Sequence, residues 1–122
     1  MDDAVKRNQE KVEIWGDGTA RREFMYAGDL ADFIIYALNN FGRMPGVLNV
    51  GLGEDYTINE YYEMVGEVCG YKGFFERDLS KPVGMKQKLI DDTLLSEFGW
   101  KHRYSLKEGL EKTYSYYKSY VQ

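Results

Sequence analysis

One cysteine, Cys69, and one histidine, His102, stand in a chain of 122 residues. A lone cysteine excludes an internal disulfide and a cysteine-built metal cage, and it suits a reducing compartment such as the cytoplasm. Long apolar runs are missing too, and no basic start leads into one, so neither export nor membrane insertion is indicated. Prolines number only two against thirteen glycines, which describes an ordered domain with tight turns and not a linker. Positive charge is in deficit, 16 Lys and Arg against 20 Asp and Glu for a net charge of -4. That balance argues against a nucleic-acid or anionic-membrane surface. No internal repeat and no pairing of a nucleophile with a base emerges, so no catalytic residue, cofactor-binding residue or metal ligand is assigned.

Aromatic residues are plentiful. Two Trp, eleven Tyr and six Phe make 16% of the chain, enough for a core of large side chains or a pocket for a flat ligand. Residues 1–122 read as a single unit with one modest core. Its charged first ten residues read as the tail of a helix. Val12 and Ile14 alternate with charged neighbours as a short strand does, Gly16-Asp17-Gly18 ends it, and Glu23-Phe24-Met25-Tyr26 reads as another extended stretch. From Asp29, taken as a cap, the spacing predicts a helix with Leu30, Phe33, Ile34, Ala37, Leu38 and Phe41 on one face and Gly42 after its last turn. Val47-Leu48-Asn49-Val50 suits a buried strand. Thr57 and Glu60 form a capping box ahead of a helix that presents Ile58, Tyr61, Tyr62, Val65, Val68 and Cys69 and closes at Gly70.

Phe74-Phe75-Glu76 and Lys88-Leu89-Ile90 read as short strands around an irregular loop. Asp91-Asp92 is explained best as a cap for a short helix through Leu94, Leu95 and Phe98, and Gly99 stops it. A second capping box, Ser105 and Glu108, opens a last helix with Leu106, Leu110, Tyr114, Tyr117 and Val121 at helical spacing. The class is therefore α/β, an α+β fragment in which short strands alternate with about four helices. Each strand is too isolated to build a sheet alone. The main sheet is expected to precede Met1, which would leave apolar faces or strand edges uncovered and favour a homodimer or other self-association.

Three features fall on turns and loops, where scaffolds display ligand contacts. Trp15-Gly16-Asp17-Gly18-Thr19-Ala20-Arg21-Arg22 could offer an indole face and a guanidinium fork to one ligand, because arginine bonds two phosphate oxygens at once and tryptophan covers a base or a sugar. The competing reading makes Trp15 core and pairs Arg21 and Arg22 with surface carboxylates. Lys81, Lys86 and Lys88 line the second feature, a basic loop able to meet the same phosphates or simply to be solvated. Asn49-Val50-Gly51-Leu52-Gly53, the third, has the look of a phosphate cradle, but the next helix opens at Thr57, so a turn is expected. Cys69 reads as core packing and His102 as structural.

In order, these segments resemble the C-terminal part of GDP-L-fucose synthase, an extended short-chain dehydrogenase/reductase, from about Val12 to Tyr117. The carriers are Trp15-Gly16-Asp17-Gly18-Thr19 with Arg22-Glu23-Phe24, Asp29-Leu30-Ala31, Leu48-Asn49-Val50-Gly51-Leu52-Gly53 and Thr57-Ile58-Asn59-Glu60. Gly70-Tyr71-Lys72-Gly73, Ser80-Lys81-Pro82, Lys88-Leu89-Ile90-Asp91, Phe98-Gly99-Trp100 and Ser105-Leu106-Lys107-Glu108-Gly109-Leu110 complete them. The resemblance implies a substrate-binding region that works with an N-terminal Rossmann domain, absent here, which binds NADP and carries the catalytic residues. It implies GDP-4-keto-6-deoxy-mannose as substrate and Trp15, Arg22, Lys81 and Lys88 as substrate-binding positions, with Arg21 left at the surface. Val83 and Phe74 depart from the polar or acidic residues common in such enzymes, which keeps another GDP-linked sugar, such as a deoxyheptose, open. A non-catalytic interaction module is the remaining alternative.

Overall fold

The computed structural model describes residues 1–120. Helix α1 (Asp2–Lys6) leads into strand β1 (Lys11–Trp15), then come β2 (Arg21–Arg22), α2 (Ala27–Asn39), β3 (Tyr56–Thr57), α3 (Ile58–Cys69), β4 (Phe74–Asp78), β5 (Gln87–Lys88), α4 (Thr93–Phe98) and α5 (Leu106–Tyr120). A 3-10 turn, Phe41–Arg43, follows α2. The expected α/β character holds, with five α-helices against about four anticipated, α1 being the helical stretch read in the first ten residues. Val121, assigned to the last helical face, lies outside the described residues. No helix among them is long and apolar enough to cross a membrane.

The strands form two small sheets. β1 and β4 run parallel, from Lys11 opposite Phe74 to Trp15 opposite Asp78, with residues 16–73 as the crossover. β2 sits between antiparallel β3 and parallel β5. The alternation read from Val12 and Ile14 is real: Ile14 is fully buried while Lys11, Glu13 and Trp15 face outward. α3 lies against this pair through Gly66, where a Cβ would come within 3.3 Å of the Phe75 ring, and through the edge-to-face contact of Tyr62 with Phe75.

Both capping boxes form. The Thr57 hydroxyl accepts the Glu60 N–H at 3.1 Å and Glu60 returns the bond to the Thr57 N–H at 2.7 Å; Gly70 ends α3 in the left-handed conformation. Ser105 and Glu108 repeat the exchange at the start of α5. At α4 the roles split: Asp92 holds the cap position without a side-chain bond, and the Asp91 carboxylate accepts the Thr93 N–H at 3.0 Å.

Five expectations are corrected. Asp29 is not a cap, because α2 starts at Ala27 behind Tyr26; its carboxylate is buried and accepts the Arg103 and Tyr104 N–H groups at 3.0 and 3.4 Å, tying the approach to α5 onto α2. Gly42 lies inside the 3-10 turn, so Asn40 ends the helix instead. The single apolar face of α2 divides: Phe33 and Ala37 enter the core with Leu95, Phe98 and Trp100, whereas Leu30, Ile34, Leu38 and, beyond the helix, Phe41 are 43%, 50%, 66% and 70% exposed. Val47-Leu48-Asn49-Val50 makes no ladder among the described residues, and Val47 is exposed. Sheet pairing also falls slightly off the expected stretches, on Arg21–Arg22 instead of residues 23–26 and on Gln87–Lys88 instead of residues 88–90. Strand identity depends on a partner's N–H and C=O groups, which local sequence does not reveal.

Candidate functional site

The β2–β5 ladder sets Arg22 opposite Lys88. Residues in register share a side of the pleat, so two cations become neighbours. Arg22 is half-buried and donates from Nη1 to the Arg21 carbonyl at 2.6 Å, while Lys88 is exposed. Neither forms an ion pair with a carboxylate among the described residues. Two adjacent uncompensated cations repel each other and favour an anion between or above them. Arg21 behaves differently: its Nε and Nη2 donate to the Asp55 carboxylate and carbonyl, both at 2.7 Å. Gln87 bonds the other Asp55 oxygen at 2.6 Å, and these bonds, Gln87 first, hold Asp55 below the usual carboxylate range. Pairing with a carboxylate thus describes Arg21 and not Arg22, although the Asp55 side chain is largely covered and not at the surface.

Trp15 is 66% exposed and is not core. Its indole N–H donates to Glu13, and Lys81 places its ammonium 5.4 Å from the ring centroid, with Asp78 at 4.0 Å on its other side. The loop between β4 and β5 connects the two groups. At one end Val83 lies over Gly16, 3.2 Å from where a Cβ would stand; further on, Gly84 turns at φ +76 and its Cβ position is 3.8 Å from Arg22 Nη2. Trp15 with Lys81, and Arg22 with Lys88, therefore border one exposed loop, although the four do not contact one another as a single cluster. The turn carrying Trp15 is fastened from below, because Gly18 accepts the Asn59 N–H and Asn59 Nδ2 donates to the Asp17 carbonyl.

Sequence reading missed Glu23. Its Oε1 accepts the N–H groups of Leu52 and of Gly53, the latter at 3.2 Å, and its Oε2 accepts the Ile90 N–H at 3.2 Å. The glycine-rich turn that looks like a phosphate cradle is thus filled from within the chain by a carboxylate. A Cβ at Gly51 would stand 2.5 Å from Oε1, so the glycine makes room for this carboxylate. No local signal announces such contacts, since they span 29 to 67 residues. Cys69 is half-buried, and burial pushes its thiol pKa up, which disfavours the reactive thiolate. His102 is half-buried in the connection from α4 to α5.

The sequence model of the NAD dependent epimerase/dehydratase family matches residues 2–51. The GDP-L-colitose synthase of Yersinia pseudotuberculosis is 60% identical over 93% of this chain and 37% of its own length. A GDP-L-fucose synthase from Azorhizobium caulinodans is 51% identical over 93% and 36%. Among solved structures, a GDP-mannoheptose C4 reductase from Campylobacter jejuni with NADP bound superposes with a TM-score of 0.79 at 36% identity, over 90% of this chain and 35% of that one. The chain is accordingly similar, over nearly its whole length, to part of the GDP-L-colitose and GDP-L-fucose synthases and of a GDP-sugar reductase, the resemblance its motifs carry. It spans a little over a third of the length of these relatives.

Proposed function

We propose that this chain is the substrate-binding, C-terminal part of an NADP-dependent GDP-sugar epimerase/reductase acting in the cytoplasm on GDP-4-keto-6-deoxy-mannose or a close analogue. Its own task is positioning. The Arg22 guanidinium fork and the Lys88 ammonium offset the two charges of the diphosphate, and Trp15 with Lys81 covers the nucleotide from the far end of the loop. Held at both ends, the sugar is presented to a nicotinamide and to acid and base groups borne by a Rossmann domain that has no counterpart in these residues. NADP supplies the hydride when bound to that domain; no group of this chain is assigned to it.

The observation that carries this reading is the Arg22–Lys88 pair, two neighbouring cations without carboxylate partners among the described residues. Calorimetric titration with GDP, with UDP as control, tests it: weak GDP binding that disappears in Arg22→Ala is expected. Absence of binding by Arg22→Ala and wild type alike, both folded by circular dichroism, overturns the assignment for this chain alone. A second reading, another GDP-linked deoxy sugar such as a deoxyheptose, draws on Val83 and Phe74, which stand exposed where a hydrogen-bonding residue is common. Comparing GDP-fucose and GDP-heptose as ligands of a full-length enzyme containing this region separates the two. A non-catalytic interaction module is the reading left if neither nucleotide sugar binds there.

A further inference from the structure

Glu23 follows Arg22 directly, yet its carboxylate takes no part in balancing that cation. It is committed to three backbone N–H groups from two distant segments, Leu52 and Gly53 in the glycine turn and Ile90 beyond β5. We infer that Glu23 is the positioning residue of the phosphate site: it anchors the Lys88–Ile90 segment to the glycine turn and thereby keeps Lys88 beside Arg22.

The need for such an anchor follows from the ladder itself. β2 and β5 pair over only two residues, Arg21 with Gln87 and Arg22 with Lys88. So short a pairing specifies register weakly, and residues 81–90 are exposed throughout, so apart from Val83 over Gly16 and the Gln87–Asp55 bond little holds the segment before Ile90. One residue past the last ladder pair, the Glu23 side chain takes over by accepting the Ile90 N–H. Its other oxygen is seated in the turn, where Gly51 leaves room only for hydrogen and Gly53 adopts φ +69. A carboxylate suits the task because it is acceptor-only and its two oxygens can serve three donors at once. An amide cannot, since its NH2 would face either the Ile90 N–H or the turn. The same geometry assigns the glycine turn a structural occupant and leaves external phosphate to Arg22 and Lys88.

This inference rests on the reading of Arg22 and Lys88 as diphosphate ligands, and two measurements keep the two apart. Amide hydrogen exchange, followed by NMR on the ligand-free chain, should show protection at Ile90 falling about tenfold in Glu23→Gln while α3 and α5 amides stay unchanged. Unaltered exchange at Leu52, Gly53 and Ile90 overturns the anchor. Ile90→Pro, which removes that one donor and leaves Glu23 in place, provides a second route to the same loosening should the glutamine variant unfold. The second measurement is a double-mutant cycle on GDP affinity with Glu23→Gln and Lys88→Ala. Glu23→Gln alone should weaken GDP binding by about threefold to tenfold and add nothing once Lys88 is gone. Full additivity means that Glu23 does not act through Lys88. Loss of Ile90 protection in a chain whose wild type ignores GDP supports the anchor and removes its proposed use at a phosphate site.

Discussion

Single residues in this chain divide by what they bond. Arg21 and Arg22 are adjacent and chemically identical, yet Arg21 is spent on Asp55 and Arg22 keeps its charge uncompensated among the described residues. Arg21→Ala should therefore lower the thermal midpoint while changing GDP affinity little. The reverse is expected for Arg22→Ala: stability within about 0.5 kcal/mol of wild type and GDP affinity lower by roughly tenfold or more. Thermal unfolding and titration of the two variants side by side check the contrast. Tyr114 supplies a pH signature. Burial first, then its hydrogen bond to Asp2, pushes its pKa up to about 12 from an ordinary value of 10.0. Because the folded-state pKa is the higher one, the stabilising contribution is complete below pH 10 and is lost as pH rises through about 12. Burial raises the pKa values of Tyr56 and Tyr61 as well, so tyrosinate absorbance during an alkaline titration should show a late-ionising component that is smaller in Tyr114→Phe.

At the scale of elements, local signals and long-range bonds contribute differently. The box at the start of α3 joins Thr57 to Glu60 by three hydrogen bonds within three residues of sequence. Thr57→Ala should cost about 1 kcal/mol in chemical denaturation, and Glu60→Gln, which keeps an acceptor, should cost less. Helices α3 and α5 were legible because capping boxes and apolar spacing agree. Strands β1 and β4 were legible as well, from Val12 with Ile14 and from Phe74-Phe75-Glu76, but the two-residue strands were not, since each depends on a partner far away in sequence: Arg21 on Thr57 and Gln87. Val47-Leu48-Asn49-Val50 has a strand's composition and finds no ladder among the described residues, a direct case of propensity without a partner.

For the molecule as a whole, the covered and uncovered sides of α2 are the telling feature. Phe33 and Ala37 close one core while Leu30, Ile34, Leu38 and Phe41 form an apolar strip left exposed among the described residues. Such strips are unusual on monomers and drive association. The isolated chain should self-associate with rising concentration in sedimentation velocity, and Ile34→Lys with Leu38→Lys should shift it to monomer without loss of helicity. Joining the chain to an N-terminal Rossmann domain of a relative should have the same effect by covering the strip, as the proposed architecture requires.

The sequence by itself determined helices α3 and α5 with their capping boxes, the alternation of β1 and the resemblance to GDP-sugar enzymes, because these reside in short, ordered patterns of residues. Only the tertiary structure decided which arginine is free, that Asp29 serves the Arg103–Tyr104 backbone, and that Glu23 fills the glycine turn. A hydrogen-bonding side chain finds its partner in space, and contacts that close loops of 29 to 75 residues leave no periodic trace along the chain.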